Sequence, residues 1–148
     1  MKGVWKLTFT NIHTGKKRVY EFSNLIPTVG RNNVAKALAG DLSSIAEAEI
    51  NFTSLGTDGT APANGDTKLG VETFRKAVAS TTSSGNQLFV TAFYTAPEVS
   101  GTFSEAGLHI NGTGAADSGI LFSRVVFSPS IVKSVSETLT VDYTVTLT

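Results

Sequence analysis

Three charged residues stand inside segments that otherwise read as apolar strands: Arg75 in Phe74–Ser80, Glu105 in Phe103–Ile110 and Arg124 in Ile120–Phe127. A charge on a buried strand face has to be paired, because desolvating it alone costs several kcal/mol. Glu105 is therefore expected to pair with Arg75 or Arg124, inside or beside a sheet. The other reading is that one of the arginines reaches across a subunit interface. The cost of breaking a buried pair favours the intrachain arrangement.

The remaining chemistry-bearing residues do not group by spacing. His13 and His109 are the only histidines, one in a turn and one in a strand, and no pair of carboxylates lies near either at ligand spacing. Asp58 and Asp66, with loop carbonyls, would suit a hard cation such as calcium. Asp58-Gly59 and Gly65-Asp66 are also ordinary turn dipeptides, and the turn reading is preferred. No metal or cofactor is expected. Serines are plentiful, but none stands in a strand–turn–helix elbow, and neither histidine has an orienting carboxylate close in sequence. Glu72, Glu98 and Glu105 carry no mark of the facing pair that glycoside hydrolysis needs. Gly56-Thr57-Asp58-Gly59-Thr60 is glycine-rich but lacks the lysine and following helix of a phosphate loop. The chain is expected to be non-enzymatic. Trp5, Tyr20 and Tyr94 would serve as an aromatic platform for a sugar, yet each also fits a strand face, and the core reading is preferred.

The elements that position these residues read as strands. Leu139, Val141, Tyr143, Val145 and Leu147 alternate with Thr140, Asp142, Thr144 and Thr146, the pattern of a strand with one buried and one wet face. Trp5, Leu7 and Phe9 alternate likewise, and a His13-Thr14-Gly15-Lys16 turn joins them to Arg18–Phe22 as a hairpin. Ala48, Ile50 and Phe52 alternate before a break at Gly56. Gln87–Thr95 and Ile120–Phe127 are apolar on both faces, as central strands covered on each side would be. Phe74–Ser80 and Phe103–Ile110 are shorter candidates, the second weakened by Gly107. Asn32–Gly40 differs: Asn is a candidate N-cap, good helix formers follow, and Gly40 stands where a helix would stop. One short helix is expected there, with Val34, Ala37 and Leu38 facing the core at one end of the sheets. Gly56–Leu69, Ser80–Asn86, Ala96–Thr102 and Ile110–Gly119 read as loops. The first is long for a plain connection and is the candidate contact surface, with Gly56, Thr57, Asp58 and Asp66 on it.

At 148 residues the chain has the size of one domain. Thr, Ser, Gly and Phe are prominent and charged residues form only 16% of the chain, which favours pleated strands joined by turns. The expected fold is all-β, a jelly-roll-like sandwich with one short helix, residues 1–148 forming a single domain. Twelve basic and twelve acidic residues cancel, and no basic stripe of the kind that neutralises phosphates is present, so nucleic-acid binding is disfavoured. There is no cysteine, which excludes disulfides and thiolate metal sites. No apolar run approaches transmembrane length and the amino terminus lacks a signal-peptide stretch, so a soluble, cytoplasmically made protein without membrane contact is expected.

Several segments together resemble a family. They are Val29-Gly30-Arg31-Asn32, Ile50–Thr57, Thr60-Ala61-Pro62-Ala63, Asp66–Gly70, Phe74–Val78, Gly101–Leu108, Ile120–Phe127 and the closing Leu139–Leu147. Their order is similar to small virion structural proteins of tailed bacteriophages, and to the particle-attaching domain of some phage tail fibres. There a helix, an "LGTG"-like loop, an arginine strand and an "EAGLF"-like strand follow in this order. The resemblance implies structural assembly without catalysis: contacts with other virion proteins, a homo-oligomer such as a trimer or ring, and a place in a virion assembled in the host bacterial cytoplasm. The chain departs from the tail-fibre pattern in stopping at its last strand, with no shaft, and in carrying the hairpin Lys2–Phe22 ahead of the shared region as an addition. Both departures suit a free-standing capsid-decoration or tail, neck or baseplate protein better than a fibre. The alternative on the same scaffold is a carbohydrate- or receptor-binding module of a phage tail.

Overall fold

The computed structural model describes residues 1–148 and arranges them as two antiparallel sheets packed face to face. The strands are β1 (Lys2–Asn11), β2 (Lys17–Ser23), β3 (Ile50–Gly56), β4 (Glu72–Ala77), β5 (Ser80–Ser84), β6 (Gln87–Tyr94), β7 (Gly101–Ile110), β8 (Ile120–Lys133) and β9 (Glu137–Thr146). One helix, α1 (Thr28–Ala39), and a 3-10 turn, Ile45–Ala48, lie between β2 and β3. The five-stranded sheet runs β2-β1-β9-β6-β5 and the four-stranded sheet β4-β3-β7-β8. The fold is thus the all-β sandwich with a short helix. The first and last strands pair in the five-stranded sheet, while β1/β2, β3/β4, β5/β6 and β7/β8 pair as neighbours in the chain.

Alternation decides which side chains enter the core. From β1 come Trp5, Leu7 and Phe9, and from β9 Leu139, Val141, Tyr143 and Val145, all buried, while the residues between them face outward. Leu147 lies beyond the end of β9 and is exposed. β1 sits between β2 and β9 with a register running from Lys2↔Thr146 to Asn11↔Glu137. The first hairpin thus contributes Trp5, Leu7 and Phe9 to the core. Across the sandwich, the polar tips of two sealed aromatics find partners: Trp5 Nε1 donates to Ser123 Oγ at 2.9 Å, and Tyr94 Oη to Thr53 Oγ1 at 3.4 Å. Buried aromatic rings need such partners for their N–H and O–H groups.

Several sequence expectations shift. α1 begins at Thr28, not Asn32, because Pro27 stands at the N-cap with φ −63° and its carbonyl accepts from Arg31 N at 3.1 Å. Gly40 does end the helix, in the left-handed region at φ 74°. Gly30 and Asn33, not Leu38 and Ala37, are the buried residues of α1. A Cβ at Gly30 would lie 3.0 Å from the Leu121 carbonyl, so the helix rests on β8 through this glycine. Leu38, two turns further on, overhangs an open apolar cleft at the end of the sandwich with Ile50, Leu88 and Val145 and is 86% exposed. Ala48 belongs to the 3-10 turn, so β3 starts at Ile50. Phe74–Ser80 divides into the ends of β4 and β5, which lie in different sheets, and Ser80–Ser84, expected as loop, is a strand. β6 is covered on one face only, leaving Phe93 exposed. β8 is the last strand of its sheet, yet Leu121–Val125 and Phe127 are buried, with Leu25 bridging to Arg124 along its edge and α1 packing on it, while Ser128–Ser130 and Val132 are exposed.

Candidate functional site

The four-stranded sheet has an outer face that the long connection between β3 and β4 folds over. Leu69 is buried there beside Gly107 of β7, whose missing Cβ would fall 2.9 Å from Leu69 Cδ2 and 3.1 Å from Ser54 Oγ. The glycine that weakened the strand reading is what admits the covering loop.

Arg124 and Glu105 are the anchors. Arg124 Nε donates to Glu105 Oε2 at 2.9 Å, Nη1 to Asp66 Oδ2 at 2.8 Å and Nη2 to Asp58 Oδ2 at 3.2 Å. Glu105, wholly buried, also accepts from the backbone N–H groups of Val71 (2.8 Å), Gly70 (3.0 Å) and Asp58 (3.2 Å). Asp58 Oδ1 accepts from Thr60 N and Oγ1, and Asp66 Oδ2 from Ala63 N at 2.9 Å. The hydrogen bonds from Thr60, with the charge of Arg124, hold the Asp58 carboxyl below the usual range. Asp58 and Asp66, the residues considered for a hard cation, instead face a guanidinium that occupies the centre of the carboxylate set. Both ends of the loop are thereby tied to β7 and β8, with Thr57, Gly59–Ala61, Ala63–Gly65, Thr67 and Lys68 left on its outer surface. Gly56 is buried under it, where a Cβ would meet the Val71 carbonyl and lie 2.6 Å from Glu105 Oε1.

Arg75 does not reach Glu105. Its partner is Glu72, with Nη2 donating to Oε2 at 2.8 Å, both side chains less than 5% exposed. The pair depends on a bulge: Leu55 pairs with Phe74 but Gly56 with Glu72, which skips Thr73 and turns Glu72 and Arg75 to the same outer face. Arg75 Nη1 then donates to the carbonyls of Thr113 (3.0 Å) and Ser118 (3.1 Å) and to Ser118 Oγ (2.6 Å), fixing the β7–β8 connection.

This face also assembles a serine, a histidine and an acid. Ser54 Oγ lies 2.7 Å from His109 Nε2, and Glu72 Oε2 lies 3.9 Å from the same nitrogen. A relay for nucleophilic attack needs the acid on the opposite ring nitrogen and a serine that substrate can reach. Here both groups approach Nε2, and Ser54 and His109 are sealed at 0% and 1% exposure. Burial, reinforced by the charge of Arg75, pushes the His109 pKa down to about 4, so the ring is neutral in ordinary conditions. The set is a buried polar cluster beneath the two covering loops. Glu98 lies apart from these residues, its carboxylate 2.8 Å from Lys76 Nζ; His13 is exposed in the first turn.

Sequence reasoning passed over Lys133. It is 1% exposed, and its Nζ donates to the carbonyls of Val99 (2.8 Å), Ala96 (3.0 Å) and Thr95 (3.4 Å). Backbone atoms from the β6–β7 connection form this cage, so no side-chain motif announces it. Of the aromatic platform candidates, Trp5 and Tyr94 are sealed, and Tyr20 is half-buried between Phe9 and Phe22. Comparison with protein-family models, with curated proteins and with solved structures finds no match for this chain.

Proposed function

We propose that the chain is a non-enzymatic structural component of a tailed-bacteriophage particle, assembled in the host bacterial cytoplasm and acting by contact with other virion proteins on the head or tail. The observation that carries the reading is the clamped loop. The segments that resemble virion proteins, Ile50–Thr57, Asp66–Gly70, Gly101–Leu108 and Ile120–Phe127, meet at Glu105 and Arg124. Their common product is a fixed outer surface running from Thr57 to Lys68. A surface ordered in advance loses little conformational entropy when a partner binds, which suits repeated assembly contacts. Further support comes from the free edge of β2, in the first hairpin, and from the threonine-rich outer face of the five-stranded sheet, where Val4, Val19 and Phe93 are exposed. Closed rings or trimers are the arrangement that repeated symmetric sites on a particle call for. Burial of Ser54 and His109 supports a role without turnover.

The test is binding to particles. The purified protein is expected to form a defined oligomer by light scattering. It is also expected to co-sediment with phage heads lacking it, raising their heat resistance, or to copurify with tails or baseplates. Failure to bind either, together with tight binding on a glycan array, would replace this reading with the receptor-binding one.

A further inference from the structure

The chain contains two Asn-Gly pairs, Asn64-Gly65 and Asn111-Gly112. In such a pair the backbone nitrogen of the glycine can attack Cγ of the asparagine side chain, because no Cβ obstructs it. The new N–C bond closes a five-membered succinimide as the Cγ–N bond breaks and ammonia leaves, taking up the proton lost by the attacking nitrogen. Water then opens the ring to aspartate or isoaspartate. The reaction needs a free glycine N–H, access to water and a carboxamide carbon made electrophilic.

Both asparagines are exposed, but the pairs differ at the glycine N–H and in what holds the carboxamide. Gly112 is buried and its N–H donates to Asn51 Oδ1 at 2.8 Å, while its carbonyl accepts from Asn51 Nδ2 at 2.9 Å. Asn64 and Gly65 are exposed at the tip of the clamped loop, in a turn closed by Asp66 N donating to the Ala63 carbonyl at 3.0 Å. The Gly65 N–H takes part in none of the turn and loop hydrogen bonds, and nothing stands within 4 Å of where its Cβ would be. The Asn64 amide oxygen is held by Arg31, whose Nη1 and Nη2 donate to Oδ1 at 3.2 and 3.1 Å. Arg31 is itself fixed by the Ile26 carbonyl at 2.9 Å and Thr28 Oγ1 at 3.1 Å. A positioned guanidinium on the oxygen draws electron density from Cγ and stabilises the negative charge that develops there during attack.

We propose that Asn64-Gly65 is a site of spontaneous deamidation, assisted by Arg31, and that Asn111-Gly112 is protected by the fold. The product places a carboxylate beside Arg31, converting hydrogen bonds from a guanidinium to a neutral amide into an ion pair. It also adds one negative charge to the outer surface of the loop that already carries Asp58 and Asp66.

The experiment is prolonged incubation of the whole purified protein in mildly alkaline buffer, with peptide mapping by mass spectrometry at both sites. A parallel sample is kept unfolded in denaturant. In the folded protein Asn111 is expected to convert at least about tenfold more slowly than Asn64, the factor that one intact hydrogen bond supplies. In denaturant the two should convert at similar rates. Arg31→Leu is expected to slow Asn64 several-fold, with Arg31→Lys intermediate; far-UV circular dichroism checks that both variants fold. Equal folded-state rates at the two asparagines, or an Asn64 rate that Arg31→Leu leaves unchanged or raises, overturns the proposal. Should Arg31→Leu fail to fold, an Asn64 rate in Arg31→Lys no slower than in wild type overturns the assistance, and the wild-type comparison of the two sites decides the protection of Asn111.

Discussion

Arg124 and Glu105 face each other from neighbouring strands, Nε to Oε2 at 2.9 Å, and neither side chain is more than 3% exposed. The guanidinium is the only cation among three carboxylates, those of Glu105, Asp58 and Asp66. Its loss would leave their charges converging without neutralisation. Arg124→Met is therefore expected to destabilise the protein by about 3–5 kcal/mol, the usual cost of stranding one member of a buried pair. Adding Glu105→Gln to Arg124→Met should recover about 1 kcal/mol or more, because the buried charge goes as well. Urea denaturation of the two single variants and the double completes the cycle. A double variant as unstable as the sum of the singles would mean that the two residues are not coupled.

His109 predicts a pH dependence. Its folded-state pKa, about 4, lies below the usual 6.5 because burial, then the nearby Arg75 charge, disfavours the imidazolium. The unfolded chain therefore takes up its proton first as pH falls. The stability associated with the neutral ring is present above 6.5, is lost progressively between 6.5 and about 4, and does not change further below that. Fully expressed, the loss is about 3 kcal/mol. Carboxylates titrate in the lower part of this window, so the measurement is the difference between wild type and His109→Gln in urea midpoints across the range. A difference that does not vary with pH would show that the ring's environment costs its charged form nothing.

The parts of this fold that were readable in the sequence are those where one physical preference acts alone. β9 was visible because alternation over Leu139–Val145 allows only one buried face. The end of α1 was visible because Gly40 is suited to a positive φ, and the charges of Glu105 and Arg124 stood out against apolar neighbours. Other features depend on partners remote in the chain. Ser80–Ser84 is uniformly polar, with no alternation, and becomes a strand by pairing with β6. Glu72 joins Arg75 only because a bulge at Thr73 reverses the expected facing. Leu38 had the periodicity of a core residue, but the close approach of Gly30 to β8 sets the helix so that Leu38 lies past the sheet.

Two glycines at the start of the covering loop separate steric need from chain flexibility. A Cβ at Gly56 would collide with the Val71 carbonyl and Glu105, both held in the clamp, whereas one at Gly59 meets nothing within 4 Å. Gly56→Ala is expected to cost about 1–3 kcal/mol, as overpacking of fixed neighbours does. Gly59 has no positive φ, so Gly59→Ala should be neutral or stabilise by about 0.4–1 kcal/mol through the unfolded chain. Thermal and urea unfolding measure both, and equal effects at the two sites would contradict the clamped geometry.

Lys133 offers the most direct test of how the β6–β7 connection is held. Its ammonium has no carboxylate in contact; the carbonyls of Val99 and Ala96, at 2.8 and 3.0 Å, take that place. Burial lowers its pKa, against the opposing charges of Glu137 and Glu98. Lys133→Met keeps the apolar stem and removes the donors, leaving those carbonyls without their partner inside the protein. Each unsatisfied buried acceptor costs about 1–3 kcal/mol, but relief of the ammonium's desolvation offsets part of this, and the connection can swing outward to water. The expected result is a net loss of about 1–2 kcal/mol, with faster amide exchange confined to residues 95–100 and to the end of β8. Hydrogen–deuterium exchange distinguishes this from a general weakening. If protection fell equally throughout β1 and β9, Lys133 would be supporting the whole core and not one connection. If protection in 95–100 did not change, the carbonyl cage would be stable without the ammonium that it surrounds.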